Sequence, residues 1–257
     1  MIERKDQDSL AGGRSVSNRP LYVQVREILL ERISSGVWHP GMLVPNEFAI
    51  AAELGVSQGT IRKALDSLAA DHLLVRKQGR GTYVAQHTPD DMLFRFFNFF
   101  DAEGRRARPD SRNVEQVEGP ATEEERLRLT LDEGEKVFRI SRIRTIGDIP
   151  FLAEMIVLPE RLFPGLPEAE LPNTLYDHFQ THYGITISRG TEKLTAAMAG
   201  PAEAGALGIA EGTPLLKLDR IAYSLQNMPV EWRLSLCRTD QLSYAVELGA
   251  RPQQQGL

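Results

Sequence analysis

The stretch from Leu54 to Leu68, Leu-Gly-Val-Ser-Gln-Gly-Thr-Ile-Arg-Lys-Ala-Leu-Asp-Ser-Leu, constrains this chain most, because its punctuation and its period call for two helices joined by a tight turn. Gly55 suits the left-handed residue that ends one helix, and the Ser57 hydroxyl can cap the next. Ile61, Ala64, Leu65 and Leu68 then recur at i, i+3, i+4 and i+7, so one face is apolar and docks on the preceding helix. The opposite face carries Gln58, Gly59, Arg62 and Lys63, with donors near a helix N-terminus that can reach base edges or phosphates. In isolation the pattern also fits an ordinary amphipathic surface helix. Its neighbours decide between the two.

Upstream, Pro20 stands at a first helical position, and Leu21, Val25, Ile28, Leu29 and Ile33 keep helical spacing up to Gly36. His39-Pro40-Gly41 breaks the chain, and Pro45-Asn46-Glu47 opens a second helix, Phe48 to Leu54, with Asn46 as its cap. Downstream, two β-prone runs, Leu73 to Arg76 and Thr82 to Val84, flank Lys77-Gln78-Gly79-Arg80-Gly81. That tip reads as a wing: Gly79 and Gly81 let backbone approach a sugar-phosphate surface, and Arg80 can enter a minor groove or pair a phosphate. A nucleotide-binding reading of the Gly-x-Gly fails, because no strand-to-helix turn follows.

The net charge of −5 argues against a DNA binder until it is divided along the chain. Residues 18–86 hold eight basic and six acidic side chains, whereas 87–257 hold nineteen and twenty-six. The basic excess therefore accompanies the helix-turn-helix. No apolar run is long enough to span a membrane and the N-terminus has no signal-peptide core, so a cytoplasmic protein, nucleoid-associated if it binds DNA, is expected. The single cysteine, Cys237, excludes an intrachain disulfide and reads as a small core residue. At 257 residues two cores are expected. We divide the chain into a disordered leader (1–17), a DNA-binding domain (18–86), a linker (87–91), a second domain (92–250) and a tail (251–257).

In the second domain, Met92 to Phe100 packs five phenylalanines into nine residues, which reads as a core strand or in part as the wall of a ligand pocket. Two hairpins then form a weak internal repeat: Lys136 to Ile146, a Gly147-Asp148 turn and Pro150 to Leu158; and Leu215 to Tyr223, across Gln226-Asn227, to Pro229 through Leu234. Alternation puts Phe138, Ile140, Arg142, Arg144 and Ile146 on one strand face, and Glu154 with Leu152 and Ile156 on another. If those faces are buried, two inward guanidinium groups need anionic partners. Glu154 or Glu231 would serve, and so would a bound carboxylate or phosphate. Between the hairpins, Asn173 to Phe179 begins a helix whose N-terminus and Thr174 hydroxyl can hold an anion, and Ala202 to Leu207 forms another. His178 and His182 have metal-ligand spacing but no third ligand nearby, so neither a metal nor another cofactor is expected.

Residues 18–86 closely resemble the winged helix of the GntR family of bacterial transcription regulators, through Pro20-Leu21-Tyr22, Val44-Pro45-Asn46-Glu47, Leu54-Gly55-Val56-Ser57, Thr60-Ile61-Arg62-Lys63-Ala64-Leu65 and Gln78 to Val84. The resemblance implies DNA contacts from Asn46, Glu47, Ser57, Gln58, Gly59, Thr60, Arg62, Lys63, Gly79, Arg80 and Gly81. Gln58 stands where the family usually has arginine, which favours adenine over guanine readout, and His72 stands where it usually has glycine at a helix end.

Residues 92–248 resemble the UTRA effector-binding domain of the HutC branch, through Arg142-Ile143-Arg144, Asp148-Ile149-Pro150, Glu154, Thr174-Leu175-Tyr176, Tyr183-Gly184, Leu207-Gly208-Ile209, Arg220, Tyr223 and Pro229-Val230-Glu231. This implies an α+β chain: a winged helix-turn-helix joined to a chorismate-lyase-like domain with a mainly antiparallel sheet. Arg142, Arg144 and Thr174 would then surround an effector's anionic group, with Glu154, Tyr176, Tyr223 and Glu231 around the rest. The resulting expectation is a homodimeric repressor released from a palindromic DNA operator by a small anionic metabolite. The alternative is a lyase on the same fold, against which stands the lack of any nucleophile-base pair.

Overall fold

The computed structural model describes residues 19–71, 73–85, 96–166 and 171–246. The leader, the linker, the tail and the position of His72 lie outside these residues.

The first unit comprises α1 (Leu21–Ser34), α2 (Glu47–Leu54), α3 (Gln58–Ala70) and an antiparallel hairpin of β1 (Leu74–Lys77) and β2 (Gly81–Val84). Its punctuation works as the residues dictate. The Asn46 side chain accepts the Ala49 N–H at 2.8 Å, Gly55 is left-handed at φ 65°, and Ser57 Oγ accepts the Thr60 N–H at 3.2 Å. Ile61, Ala64, Leu65 and Leu68 are all buried against Val25, Leu29 and Ile50. The α1 stripe differs from expectation: Leu21 and Ile28 are 52% and 40% exposed, while Leu30 is buried. Because α1 rests on α3 along one side only, the core takes Val25, Leu29 and the next residue around the helix. Leu225, from the second unit, is buried against this same core.

In the second unit, β3 (Phe99–Phe100) pairs with β10 (Ser243–Tyr244), and Phe100 also bridges to Arg106. The expected strand across 92–100 is thus confined to its last two residues among those described. A single six-stranded antiparallel sheet, ordered β4-β5-β6-β9-β8-β7, supplies the framework. Its strands are β4 (Asp110–Pro120), β5 (Lys136–Ile146), β6 (Ile149–Pro159), β7 (Ile187–Met198), β8 (Pro214–Ser224) and β9 (Pro229–Cys237). Helices α4 (Glu123–Leu129), α5 (Leu175–Tyr183) and α6 (Pro201–Leu207) complete it.

The repeat extends beyond the two hairpins. Each half is strand, short helix, strand, strand, and the halves meet where β6 pairs with β9. Both short helices carry at their third position a glutamate whose side chain returns to the capping residue, Glu125 to the Thr122 N–H and Glu203 to the Gly200 N–H. Strands β4 and β7, at the edges, have no counterpart in the sequence reading, because edge strands with polar faces carry little apolar alternation. Val117, Leu194 and Met198 on these strands are exposed.

One face of the sheet, with Ile140, Ile156 and Leu158, packs beneath α5 through Leu175, Tyr176 and Phe179. Val137, Val157 and Trp232 pack with Leu129 of α4. Cys237 is a buried free thiol, pushed up in pKa by burial.

Candidate functional site

Two groups of side chains stand out, one exposed on the first unit and one buried in the second. On α3, Ser57, Gly59, Arg62 and Lys63 are exposed and Gln58 and Thr60 half-buried; at the wing, Gly79, Arg80 and Gly81 are exposed. The wing tip depends on its glycines. Gly79 and Gly81 have φ of 68° and 105°, and a Cβ on Gly81 would lie 2.8 Å from Leu43 Cδ1. The Tyr83 hydroxyl donates to the Arg80 carbonyl at 3.1 Å, which ties the tip to β2.

The α3 face is held ready by its neighbours. Lys63 Nζ lies 4.1 Å from the Tyr22 ring centroid, and Arg62 donates to both Glu47 oxygens, Nη2 at 2.7 Å. This hydrogen bond holds the Glu47 carboxyl below its ordinary pKa. Asn46 spends its side-chain oxygen on the α2 cap, and Glu47 spends its charge on Arg62. Both therefore shape the recognition face from below.

The second group follows from register. Arg142 lies opposite Glu154 across β5 and β6, and Arg220 lies opposite Arg233 across β8 and β9. Arg142, Arg144, Glu154, Asn173, Thr174, Tyr176, Arg220 and Arg233 line one cavity, closed by Phe96, Phe97 and Leu175. Arg142 grips Glu154 Oε1 through Nε at 2.8 Å and Nη2 at 2.6 Å, while Arg233 Nη1 reaches Oε2 at 3.1 Å. Arg233 also forks onto Glu231, at 3.0 and 2.8 Å, and the Tyr176 hydroxyl donates to Glu231 at 2.8 Å. Burial alone would raise the Glu154 carboxyl; Arg142, Arg233 and Arg144 instead hold it far below the usual carboxylate range. Burial, with Glu231 beside it, pushes the Tyr176 phenol up, so it stays a donor.

Arg144 is the exception in this network. It is 2% exposed, its Nη1 reaches only the Ser111 hydroxyl at 3.1 Å and the Asn173 carbonyl at 3.2 Å, and its Nε has no partner. Glu154 is 3.8 Å away. Burial draws the guanidinium down to about 9, only partly offset by Glu154. Thr174 begins α5 without using its hydroxyl as a cap.

Five of the seven residues expected here, Arg142, Arg144, Glu154, Thr174 and Tyr176, thus line one space. Glu231, fully buried, stands behind the wall as the partner of Arg233 and Tyr176. Tyr223 is not among the residues that line this cavity. Alternation turns Arg220 and Ala222 inward and Tyr223 away, where its ring lies under Arg189 at 3.7 Å. Residue-by-residue reading missed Arg233, Asn173 and Ser111; the alternation Glu231, Arg233, Ser235 was the signal for the first. His178 and His182 stack at 4.1 Å between ring centroids, and no metal-competent cluster exists among the described residues.

A winged helix joined to a sheet that buries an underpaired arginine in a cavity defines a class, a DNA-reading module coupled to a small-molecule receptor. Comparison with known proteins specifies it further. Residues 21–84 match the family described as bacterial regulatory proteins, gntR family, and 104–243 match the UTRA domain. The transcriptional repressor NagR of Bacillus subtilis is 32% identical over 226 residues, 88% of this chain and 93% of that protein. The histidine utilization repressor of Pseudomonas aeruginosa is 32% identical over 223 residues, 85% of this chain and 88% of that protein. Among solved structures, the ligand-binding domain of a GntR-family regulator from Bordetella bronchiseptica aligns with a TM-score of 0.56 at 32% identity, covering 60% of this chain and 98% of that one. The chain belongs to the GntR family, in its HutC-type, UTRA-bearing branch. It is a ligand-responsive, DNA-binding transcription regulator, and a lyase activity is set aside because the family is one of regulators. No helix among the described residues is long and apolar enough to cross a membrane.

Proposed function

We propose that the protein is a homodimeric repressor that holds a palindromic operator and releases it when a small anionic metabolite enters the arginine cavity. Arg144 carries this reading: a buried cation with an unpartnered Nε beside a free Thr174 hydroxyl and a helix N-terminus is completed by a carboxylate or phosphate. Repression as the polarity follows the relatives, both called repressors. Residues 18–86 would bind DNA through Ser57, Gln58, Gly59, Thr60, Arg62, Lys63 and the wing. Residues 92–250 would bind effector and dimerise, since one chain brings one recognition helix and a palindrome needs two. The protein would act in the cytoplasm, at the nucleoid.

The coupling runs through α5. The helix begins beside the cavity, and at its other end Gln180, Gly184 and Thr186 flank a second cavity against Gly36, Pro40 and Val84 of the winged helix. A shift of α5 on ligand entry would therefore move the contact that orients the DNA-binding unit. The test is Arg144→Ala, with operator binding followed by gel shift and effector binding by calorimetry. Removing this charge-assisted contact weakens effector binding by about ten- to a hundredfold, leaves operator affinity intact and raises the effector needed for release in proportion. Unchanged effector affinity would reduce Arg144 to a structural residue.

A further inference from the structure

We propose that the β8–β9 hairpin is the arm by which the second unit positions the winged helix on DNA, and that Leu225, at its tip, is the positioning residue; this rests on the protein gripping its operator as a dimer.

The first ground is where Leu225 lies. Among the described residues of the second unit it alone joins the buried core of the first, 4% exposed in a cluster with Leu29, Leu73 and Val84. By sequence it belongs to one unit and by packing to the other. The contact around it is loose, since a cavity of about 180 Å³ separates Gly36, Pro40 and Val84 from Gln180, Gly184 and Thr186. A loose contact with one inserted apolar side chain takes its orientation from that side chain.

The second ground is the bracing of the tip. Asn227 adopts a left-handed φ of 62°, and its N–H donates to the Ser224 carbonyl at 2.9 Å. Strand β7 holds this turn from the side. The Ser188 hydroxyl donates to the Ser224 carbonyl at 2.8 Å, and Arg189, lying over the Tyr223 ring, donates to Asn227 Oδ1 through Nε at 2.9 Å and Nη2 at 2.6 Å. The Leu225 N–H itself donates to the Thr186 carbonyl at 3.2 Å, shortly after α5 ends. A tip tied at so many points moves with its strands.

The third ground is where those strands lead. Arg220 of β8 and Arg233 of β9 lie opposite each other, and both line the arginine cavity. One hairpin thus has its root in the cavity wall and its tip in the winged helix, so a displacement at the root is carried to the DNA-binding unit. In a dimer, two such arms set the distance and the angle between two recognition helices.

The test selects operators from a randomised DNA pool with the full-length protein. Binding to them is then compared with binding to a single half-site and to versions with two base pairs inserted between half-sites, for wild type, Leu225→Ala and Arg189→Ala. Two added base pairs turn one half-site by about 70° and move it by about 7 Å. Wild type should lose at least about tenfold on that insertion, whereas Leu225→Ala should lose less than about threefold and bind the single half-site as wild type does. Arg189→Ala leaves the winged-helix core untouched and should fall between the two, which keeps the test open if Leu225→Ala misfolds. A wild-type spacing preference in both variants, or a wild type indifferent to the insertion, would overturn the arm. So would loss of half-site binding in Leu225→Ala beside an unchanged preference in Arg189→Ala, since Leu225 would then only support the winged-helix fold. Equal binding of paired and single half-sites by wild type would remove the dimeric reading and this inference with it.

Discussion

Two arginine-carboxylate sites, one in each unit, share their chemistry and differ in their solvent. Arg62 and Glu47 form a forked pair on the DNA-binding unit, with the Arg62 side chain 61% exposed. Arg142 and Glu154 form a pair in the effector unit with both guanidinium nitrogens on one carboxylate oxygen and side chains 1% and 4% exposed. The exposed pair can open whenever a phosphate or base edge competes, because water stabilises the separated charges. In the buried cluster no water takes the place of a lost partner, so its members must be satisfied together or carry a penalty. One site is thus a surface that exchanges partners, and the other a frame that leaves a single arginine, Arg144, short of them.

The sharpest way to break this comparison is to neutralise one carboxylate in each pair. Glu154→Gln leaves Arg142 and Arg233 short of their shared counter-charge in the interior, and should destabilise the effector unit by about 3–5 kcal/mol in urea titrations. Glu47→Gln should leave stability nearly unchanged. Similar losses in both variants would erase the distinction.

Acid supplies a second lever. The folded pKa of Glu154 lies below its unfolded value, so its contribution is fully present above about pH 4.5 and is lost as pH falls below that. The effector unit should therefore lose stability on acidification by more than the winged helix. The two tryptophans report separately, since Trp38 lies in the first core and Trp232 in the second. Fluorescence of Trp38→Phe and Trp232→Phe variants between pH 3 and 6, a range of about three units, resolves the order.

Effects on DNA follow at smaller scale. Arg62→Ala should weaken operator binding by about ten- to a hundredfold if the fork turns from Glu47 to a base, with little change on unrelated DNA. Equal losses on both DNAs would make Arg62 a phosphate contact. Glu47→Gln should have the smallest effect, tightening binding to any sequence a few-fold, because it removes a negative charge from a surface that meets phosphates. Weaker binding would show that Glu47 positions Arg62 for readout.

The contrast also explains what could be read without coordinates. The backbone determinants of the recognition face are local: a cap at Ser57, a left-handed Gly55, an apolar stripe from Ile61 to Leu68, glycines at the wing tip. Each acts within a few residues of itself, so sequence spacing translates directly into position. That Arg142 and Arg144 share one strand face, and Glu154 one with Leu152 and Ile156, was equally legible from alternation, but not which face is buried.

Alternation cannot say which strands are neighbours, and that only the tertiary structure decided. Pairing of β6 with β9 brings Arg233 to Glu154 from 79 residues away, and α5 lays Tyr176 over Glu231 across 55. The same contacts consume both carboxylates and leave Arg144 with spare donors, so the expected set of seven residues becomes a frame with one open arginine. The edge strands β4 and β7 escaped the sequence for a related reason. Strands that bury little carry little apolar pattern, and their place is set by the hydrogen bonds a neighbour offers.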